Sequence, residues 1–239
     1  MSGHSKWETT KRQKAAVDAK RGIVFTKLGN MIAIAARGGT DPATNPSLAM
    51  AIDKAKSANM PAATIQRAID RVSDKNANAL EEIVYEAYGP GGIGIIIETA
   101  TDNRNRTFPE VRTAITKNGG TLADPGSVIF QFDRKGVIQI DAEGDDNLMT
   151  VLEAGAQDAI EQDGGIVAYT DMKDLHSVRQ AIIDAGLTVT DAGLSYIGKN
   201  PVSINSAETA AKINKLLDAL DGLDDVTETH TNADIAISL

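Results

Sequence analysis

His4, Lys6, Trp7, Lys11, Arg12, Lys14, Lys20 and Arg21 stand together at the start of the chain, with Glu8 and Asp18 as their only acidic company. Ammonium and guanidinium groups at this density suit one chemistry above others, the neutralisation of phosphate: lysine as a point charge, arginine as a bidentate fork. His4, beside Lys6, reads as a further contact residue or as a solvated tail residue. Trp7, the sole tryptophan, offers a face that stacks on a base or ribose, or one that pins the segment to neighbouring helices. Between Glu8 and Gly22 the only large aliphatic side chain is Val17. Such a segment cannot drive its own folding by burial, so its charge suits a polyanion. Nucleic acid is the expected partner, DNA or ribosomal RNA. The plainer alternative is a solvated basic helix on an acidic protein. Lys27 carries the cationic series into the next helix.

A second cationic element lies further on. Asp102-Asn103-Arg104-Asn105-Arg106-Thr107 places two arginines ahead of a helix whose start is marked by Thr107 and Glu110 at capping-box spacing. Backbone donors at a helix start, with two guanidiniums beside them, make a phosphate site. Pairing of Arg104 and Arg106 with Glu81, Glu82 or Glu86 is an equal alternative. G-P-G-G-I-G from Gly89 to Gly94 matches the glycine spacing of a dinucleotide fingerprint, but a β-rich run, Ile95-Ile96-Ile97-Glu98-Thr99, follows where a helix is needed. It is read as a hairpin turn. His4, His176 and His230 lie too far apart for a zinc-ligand spacing. His176 is expected near a helix start, and His230 on a strand with Asn232. Asp145-Asp146 and Asp224-Asp225 read as capping or solubilising acids. With no nucleophile–base pairing and no ligand cluster in the sequence, the expectation is a non-enzymatic protein with no catalytic residue, metal or cofactor.

The elements that would position these residues change character along the chain. Thr9 to Arg21 favours helix, with Gly22 as its stop. Phe25, Leu28, Ile32 and Ala35 recur at helical spacing up to Gly38-Gly39. Asn45 is a cap and Pro46 a first helical residue for a helix with Leu48, Ile52 and Ala55 on one face. Pro61 opens a third, with Ile65, Ala68, Ile69 and Val72. SDKNANA, Ser73 to Ala79, reads as a linker. Beyond it come strands at Ile83–Tyr88 and Ile93–Thr101, a helix to about Lys117, and strands at Gly126–Phe132 and Gly136–Ile140 around a turn at Asp133-Arg134-Lys135. A helix over Asn147–Ile160, a strand at Ile166–Thr170, a helix at Leu175–Ala185 and a strand from Val189 to Ile197 follow. Ala207–Leu220 is an amphipathic helix and Val226–His230 a last strand. The fold class expected is α+β multidomain: an N-terminal helical bundle followed by two α/β sandwich domains with mainly antiparallel sheets. The expected boundaries are 1–78, 79–133 plus 204–239, and 134–203.

Composition supports real cores, with 42% hydrophobic residues of which few are aromatic, 4% of the chain. The absence of cysteine fits a reducing cytoplasm. The polar N-terminus is unlike a secretory signal, and no apolar run approaches a membrane span, so a cytoplasmic protein with no membrane partner is expected. The net charge of −9 conceals a division, since residues 1–75 carry 13 Lys+Arg against 6 Asp+Glu and the remainder 11 against 27. That asymmetry points the basic part at a polyanion.

SGHSKW, KAAVDAKRG, FTKL, GGTDP, NPSL, AIDKAKSANMP, IQRAIDR, YEAYGPGG, DNRNRT, EVR, NGGTL and GSVIFQF, in this order, resemble the YebC/PmpR family of bacterial regulatory proteins, whose mitochondrial relative is a translational activator of cytochrome c oxidase. The resemblance implies three domains, the third inserted in the second, and no enzymatic activity. It implies a cytoplasmic DNA-binding transcriptional regulator or, in a more recent view of the family, a ribosome-associated factor that helps translation through proline-rich stretches. Nucleic-acid contacts would then fall on Lys6, Lys11, Arg12, Lys14, Lys20 and Arg21, and a monomer is expected. Four features depart from the family pattern: Gln13 at a usually basic position, Glu8 within the arm, Gly29-Asn30 for an aliphatic–arginine pair, and Phe108-Pro109 for small aliphatic residues.

Overall fold

The computed structural model describes residues 21–73, 79–162 and 164–235. Three helices come first: α1 (Arg21–Ala35), α2 (Pro46–Ser57) and α3 (Ala62–Asp70). Leu28, Ile32, Ala36, Leu48, Ile52, Ala55, Ile65 and Ile69 form their shared core. Gly22 lies within α1 and does not end a helix. A helical glycine costs only about 1 kcal/mol, and the apolar stripe that follows outweighs it. Asn45 closes two helix ends together. Its side-chain oxygen accepts from Leu48 N at 3.2 Å, while its amide donates to the carbonyls of Ala35 and Gly39 at 2.7 Å each, satisfying backbone groups that helix termini leave orphaned.

A four-stranded antiparallel sheet follows, in the order β3-β1-β2-β9, from β1 (Glu81–Tyr88), β2 (Gly94–Thr101), β3 (Thr121–Ala123) and β9 (Val226–Thr231). Gly91 and Gly92, at φ of 80° and 78°, turn β1 into β2, as the hairpin reading requires. Helices α4 (Arg104–Lys117) and α7 (Ala207–Asp221) cover one face of this sheet. Ile95 and Ile97 enter that core with Val111, Ile115, Ile213, Leu216 and Leu220. Ile96 points to the opposite face, against Val128, Phe132 and Tyr196. The unbroken isoleucine run is therefore a central strand buried on both sides.

The second four-stranded antiparallel sheet, β5-β6-β4-β7, comprises β4 (Phe132–Ile140), β5 (Asp158–Gln162), β6 (Gly165–Thr170) and β7 (Val189–Gly198). Helices α5 (Asp145–Glu153) and α6 (Leu175–Asp184) flank it, and their core joins Ile138, Ile140, Val151, Ile166, Val178 and Ile182. A short parallel pair, β8 (Val202–Ile204) with β10 (Ala233–Ile235), completes the described residues. The fold is multidomain α+β with mainly antiparallel sheets.

Three local expectations are corrected. Gly126–Gln131 is a loop rather than a strand, because the buried Glu86 carboxylate accepts from the backbone N–H groups of Gly126, Val128 and Ile129 at 2.5, 2.6 and 2.7 Å. Those donors then have no need of a neighbouring strand. Asp133-Arg134-Lys135 is not a turn but part of β4, held by pairing to Tyr196 and its neighbours on β7. The helix predicted over 147–160 stops at Glu153, where Gly155 at φ 104° lets the chain reverse into β5.

Glu86→Gln is expected to lower unfolding free energy by about 1–3 kcal/mol, since an amide offers one acceptor oxygen where the carboxylate offers two. Urea denaturation followed by circular dichroism measures this. A change below a few tenths of a kcal/mol would mean that the loop holds itself.

Candidate nucleic-acid interface

Of the cationic candidates, His4, Lys6, Trp7, Lys11, Arg12, Lys14 and Lys20 lie outside the described residues. Arg21 is the first residue of α1. Lys27, one turn and a half further along, donates from Nζ to the carbonyl oxygen of Asp221 at 2.7 Å. Asp221 is the last residue of α7, where the exposed carbonyls carry the negative end of the helix dipole. Lys27 thus fastens the helical bundle to the α/β body.

Arg104 and Arg106 stand inside the first turn of α4, not ahead of it. Asn103 is the cap, its side chain accepting from Arg106 N at 3.1 Å. Thr107 and Glu110 therefore make no capping box. Thr107 instead turns its hydroxyl to Asp225 Oδ2 at 2.6 Å. Arg106 reaches both oxygens of the same carboxylate, at 2.9 and 2.8 Å, and Thr101 donates to it at 3.0 Å. The partner of Arg106 is therefore Asp225, with Asp102 beside it at 3.4 Å, and not Glu81, Glu82 or Glu86. The hydrogen bond to Asp225, then the charge of that carboxylate, raises the Arg106 pKa above its already high ordinary value. Asp225 is itself buried. A carboxylate removed from water must be matched by donors and positive charge, so Asp225 is a structural hub rather than the solubilising acid expected.

Asp102 also draws in Arg71 at 3.5 Å, and Arg71 donates to the side-chain oxygen of Asn30 at 3.2 Å. Asn30 is buried and donates to the carbonyl of Ala100 at 3.3 Å. At the atypical Gly29-Asn30 pair, the asparagine ties α1 to the end of β2. The corner between β2 and α4 thus brings Arg71, at the end of the helical bundle, and Arg106 together on Asp102. Arg104 is exposed and has no acidic partner among the described residues, its guanidinium lying near enough to the Tyr85 ring to oppose the rise that burial gives the phenol pKa. Beside it Phe108, also atypical, is 40% exposed, with its ring centroid 6.1 Å from that of Tyr85.

Four further cations are held by carboxylates. Lys54 Nζ meets Glu228 Oε1 at 2.5 Å, Arg134 meets Glu98 at 3.2 Å, Arg179 meets Asp53 at 2.9 Å and Lys199 meets Asp133 at 3.3 Å. Two of these join α2 to the body, Lys54 to β9 and Arg179 of α6 to Asp53. His176 is exposed at the start of α6, as expected. His230 is buried and hydrogen-bonded through both ring nitrogens. His230 lies on β9 as expected, whereas Asn232 falls just past its end at Thr231; the partners of His230, Glu98 and Ser195, were not legible in sequence. Among the described residues no helix is long and apolar enough to cross a membrane.

Two family models match this chain: one described as the TACO1/YebC protein N-terminal domain, over residues 5–75, and one described as the TACO1/YebC second and third domain, over residues 80–233. A probable transcriptional regulatory protein of Frankia casuarinae is 50% identical over 243 aligned residues, covering 99% of this chain and 96% of the relative. Another so named, from Roseiflexus castenholzii, is 46% identical and covers 100% of this chain and 97% of its own. The crystal structure of a conserved hypothetical protein from Aquifex aeolicus superposes with a TM-score of 0.91 at 39% identity, over 98% of this chain and 99% of that one.

Asp225→Ala is expected to cost about 2–3 kcal/mol, because it strands two buried hydroxyls as well as Arg106. Arg104→Ala is expected to stay within about 0.5 kcal/mol of the parent, having no bond to lose. Thermal or urea unfolding of the two variants checks both. Equal losses would contradict the assignment of Arg106 as structural and Arg104 as free.

Proposed function

The chain belongs to the TACO1/YebC family, and from that premise we propose that it is a non-enzymatic regulator of gene expression that binds nucleic acid through its basic N-terminal segment. Its relatives carry names of probable transcriptional regulators, and DNA is the partner those names favour. The observation that carries the reading is the contrast between two sets of cations. Lys27, Lys54, Arg71, Arg106, Arg134, Arg179 and Lys199 bond to oxygens of the protein itself. Lys6, Lys11, Arg12, Lys14, Lys20 and Arg21 belong to a stretch with only two acids and one large aliphatic residue between Glu8 and Gly22. Phosphate is the partner that such a stretch suits.

The proposed organisation assigns residues 1–78 to a binding unit, 79–133 with 204–239 to a first α/β unit, and 134–203 to a second inserted in it. Separate cores for the helices and for each sheet support that division. Arg104, exposed beside Tyr85, is a second phosphate contact in this scheme; Lys27 joins the helical unit to the first α/β unit, and Arg106 braces that α/β unit internally. Backbone contacts of this kind position the protein and carry little sequence information. The body's excess of acid over base keeps the polyanion from wrapping it.

If five cations meet phosphate, log affinity for duplex DNA falls with log salt at a slope of about −4.5, a loss of roughly several hundred-fold between 50 and 200 mM. Replacing Lys11, Arg12 and Lys14 together by alanine is expected to reduce that slope by about 2.7. Fluorescence anisotropy across a salt series measures it, and an unchanged slope would remove the segment from the account. Co-sedimentation with ribosomal subunits, lost on deleting residues 1–22, would assign the same segment to ribosomal RNA instead.

A further inference from the structure

Glu98 of β2 and Glu228 of β9 are register partners, and His230 follows on the same face of the sheet. His230 is buried, and its Nδ1 lies 3.1 Å from Ser195 Oγ on β7. Its Nε2 lies 3.1 Å from Glu98 Oε2 and 4.0 Å from Glu228 Oε2. The other oxygen of each carboxylate is gripped from outside the sheet: Glu228 Oε1 by Lys54 of α2 at 2.5 Å, and Glu98 Oε1 by Arg134 of β4 at 3.2 Å. Tyr196 packs its ring edge-on to the imidazole at 5.4 Å between centroids, under the Arg134 guanidinium. Four side chains from other elements, Ser195, Lys54, Arg134 and Tyr196, thus orient both glutamates and the histidine.

A proton on Nε2 bridges to the Glu98 oxygen but not to the Glu228 oxygen at 4.0 Å, whereas a metal ion drawn between them would meet all three. One ring nitrogen and one oxygen from each carboxylate lie within 4.8 Å of one another. Bonds of about 2.0–2.2 Å to a single tetrahedral ion bring ligand atoms to about 3.4 Å from one another, so the Glu228 carboxylate would move inward as the ion binds. We propose that Glu98, Glu228 and His230 form a binding site for one divalent first-row transition-metal ion of the zinc type, which replaces the proton at Nε2. Imidazole with two carboxylates suits such an ion better than calcium or a thiophilic metal. Ser195 accepts the Nδ1–H bond that fixes the tautomer, as partners of metal-bound histidines do. Lys54 and Arg134 serve both as orienting groups and as a brake. Their positive charge beside the ion lowers its affinity and makes the site exchangeable, unlike a closed structural centre. The ion would tie β2 to β9 where α2, β4 and β7 all converge. This inference is independent of nucleic-acid binding.

The full-length protein, stripped of metal by chelator dialysis, is titrated with Zn²⁺ by calorimetry and by NMR of its histidine side chains. One equivalent is expected, with the imidazole resonances of His230 shifting and those of His4 and His176 left in place. Glu228→Gln and His230→Asn are expected to weaken Zn²⁺ binding about tenfold or more. No stoichiometric binding, or binding that shifts only His4 or His176, overturns the proposal. Parent-like affinity in both variants overturns it too. The parent's NMR titration decides the matter even if a variant does not fold.

Discussion

The pairing of β9 with β2 is the closure on which the rest of the molecule depends. These strands are separated in sequence by the whole of the second sheet, so their union carries a large loop-closure cost that only dense contacts can offset. Each residue of the returning strand or its flanks answers a need on the other side. Asp225 brings a carboxylate to Arg106, Thr101 and Thr107. Glu228 and His230 sit against Glu98, and Asn232 Oδ1 accepts the backbone N–H of Gly94 at 2.8 Å. The approach at the end of β7 is close: a Cβ on Gly198 would stand 2.6 Å from that of Asn232. Helix α7 then completes the core over Ile95 and Ile97.

That closure also governs the electrostatics. The carboxylates of Glu98, Glu228 and Asp225 would be costly to bury alone, and each recruits a cation from a different part of the chain. Lys54 comes from the helical bundle, Arg134 from the second sheet and Arg106 from α4. These groups are structural. Arg104, by contrast, is exposed and has no acidic partner among the described residues. The net charge of −9 averages over a basic start and an acidic remainder, which is why it says so little about a partner.

Much of the architecture was legible because it rests on local signals. Asn45-Pro46 announces a helix start, the glycines from Gly89 to Gly92 announce a hairpin, and the stripe through Ala210, Ile213, Leu217 and Leu220 announces a helix with one buried face. The errors arose where a distant partner overrode a local preference. Gly126–Phe132 has strand-like residues, yet Glu86, forty residues earlier, takes its amides. Asp225 looks like a surface acid beside Asp224 until Arg106, from a position 119 residues away, is set against it. Arg104 and Arg106 are alike in sequence and opposite in role, because only one of them points at the returning strand. Most of the candidate site lies outside the described residues; within them, only the fold separates Arg106, bound to Asp225, from Arg104, which has no acidic partner there.

Amide hydrogen exchange of the full chain, with and without saturating nucleic acid at low salt, tests the central division most directly. The account predicts new protection concentrated in residues 1–22, abolished by raising the salt, with the strands of both sheets exchanging as before. Unchanged exchange across residues 1–22 at saturation, with new protection on the acidic body instead, would contradict it.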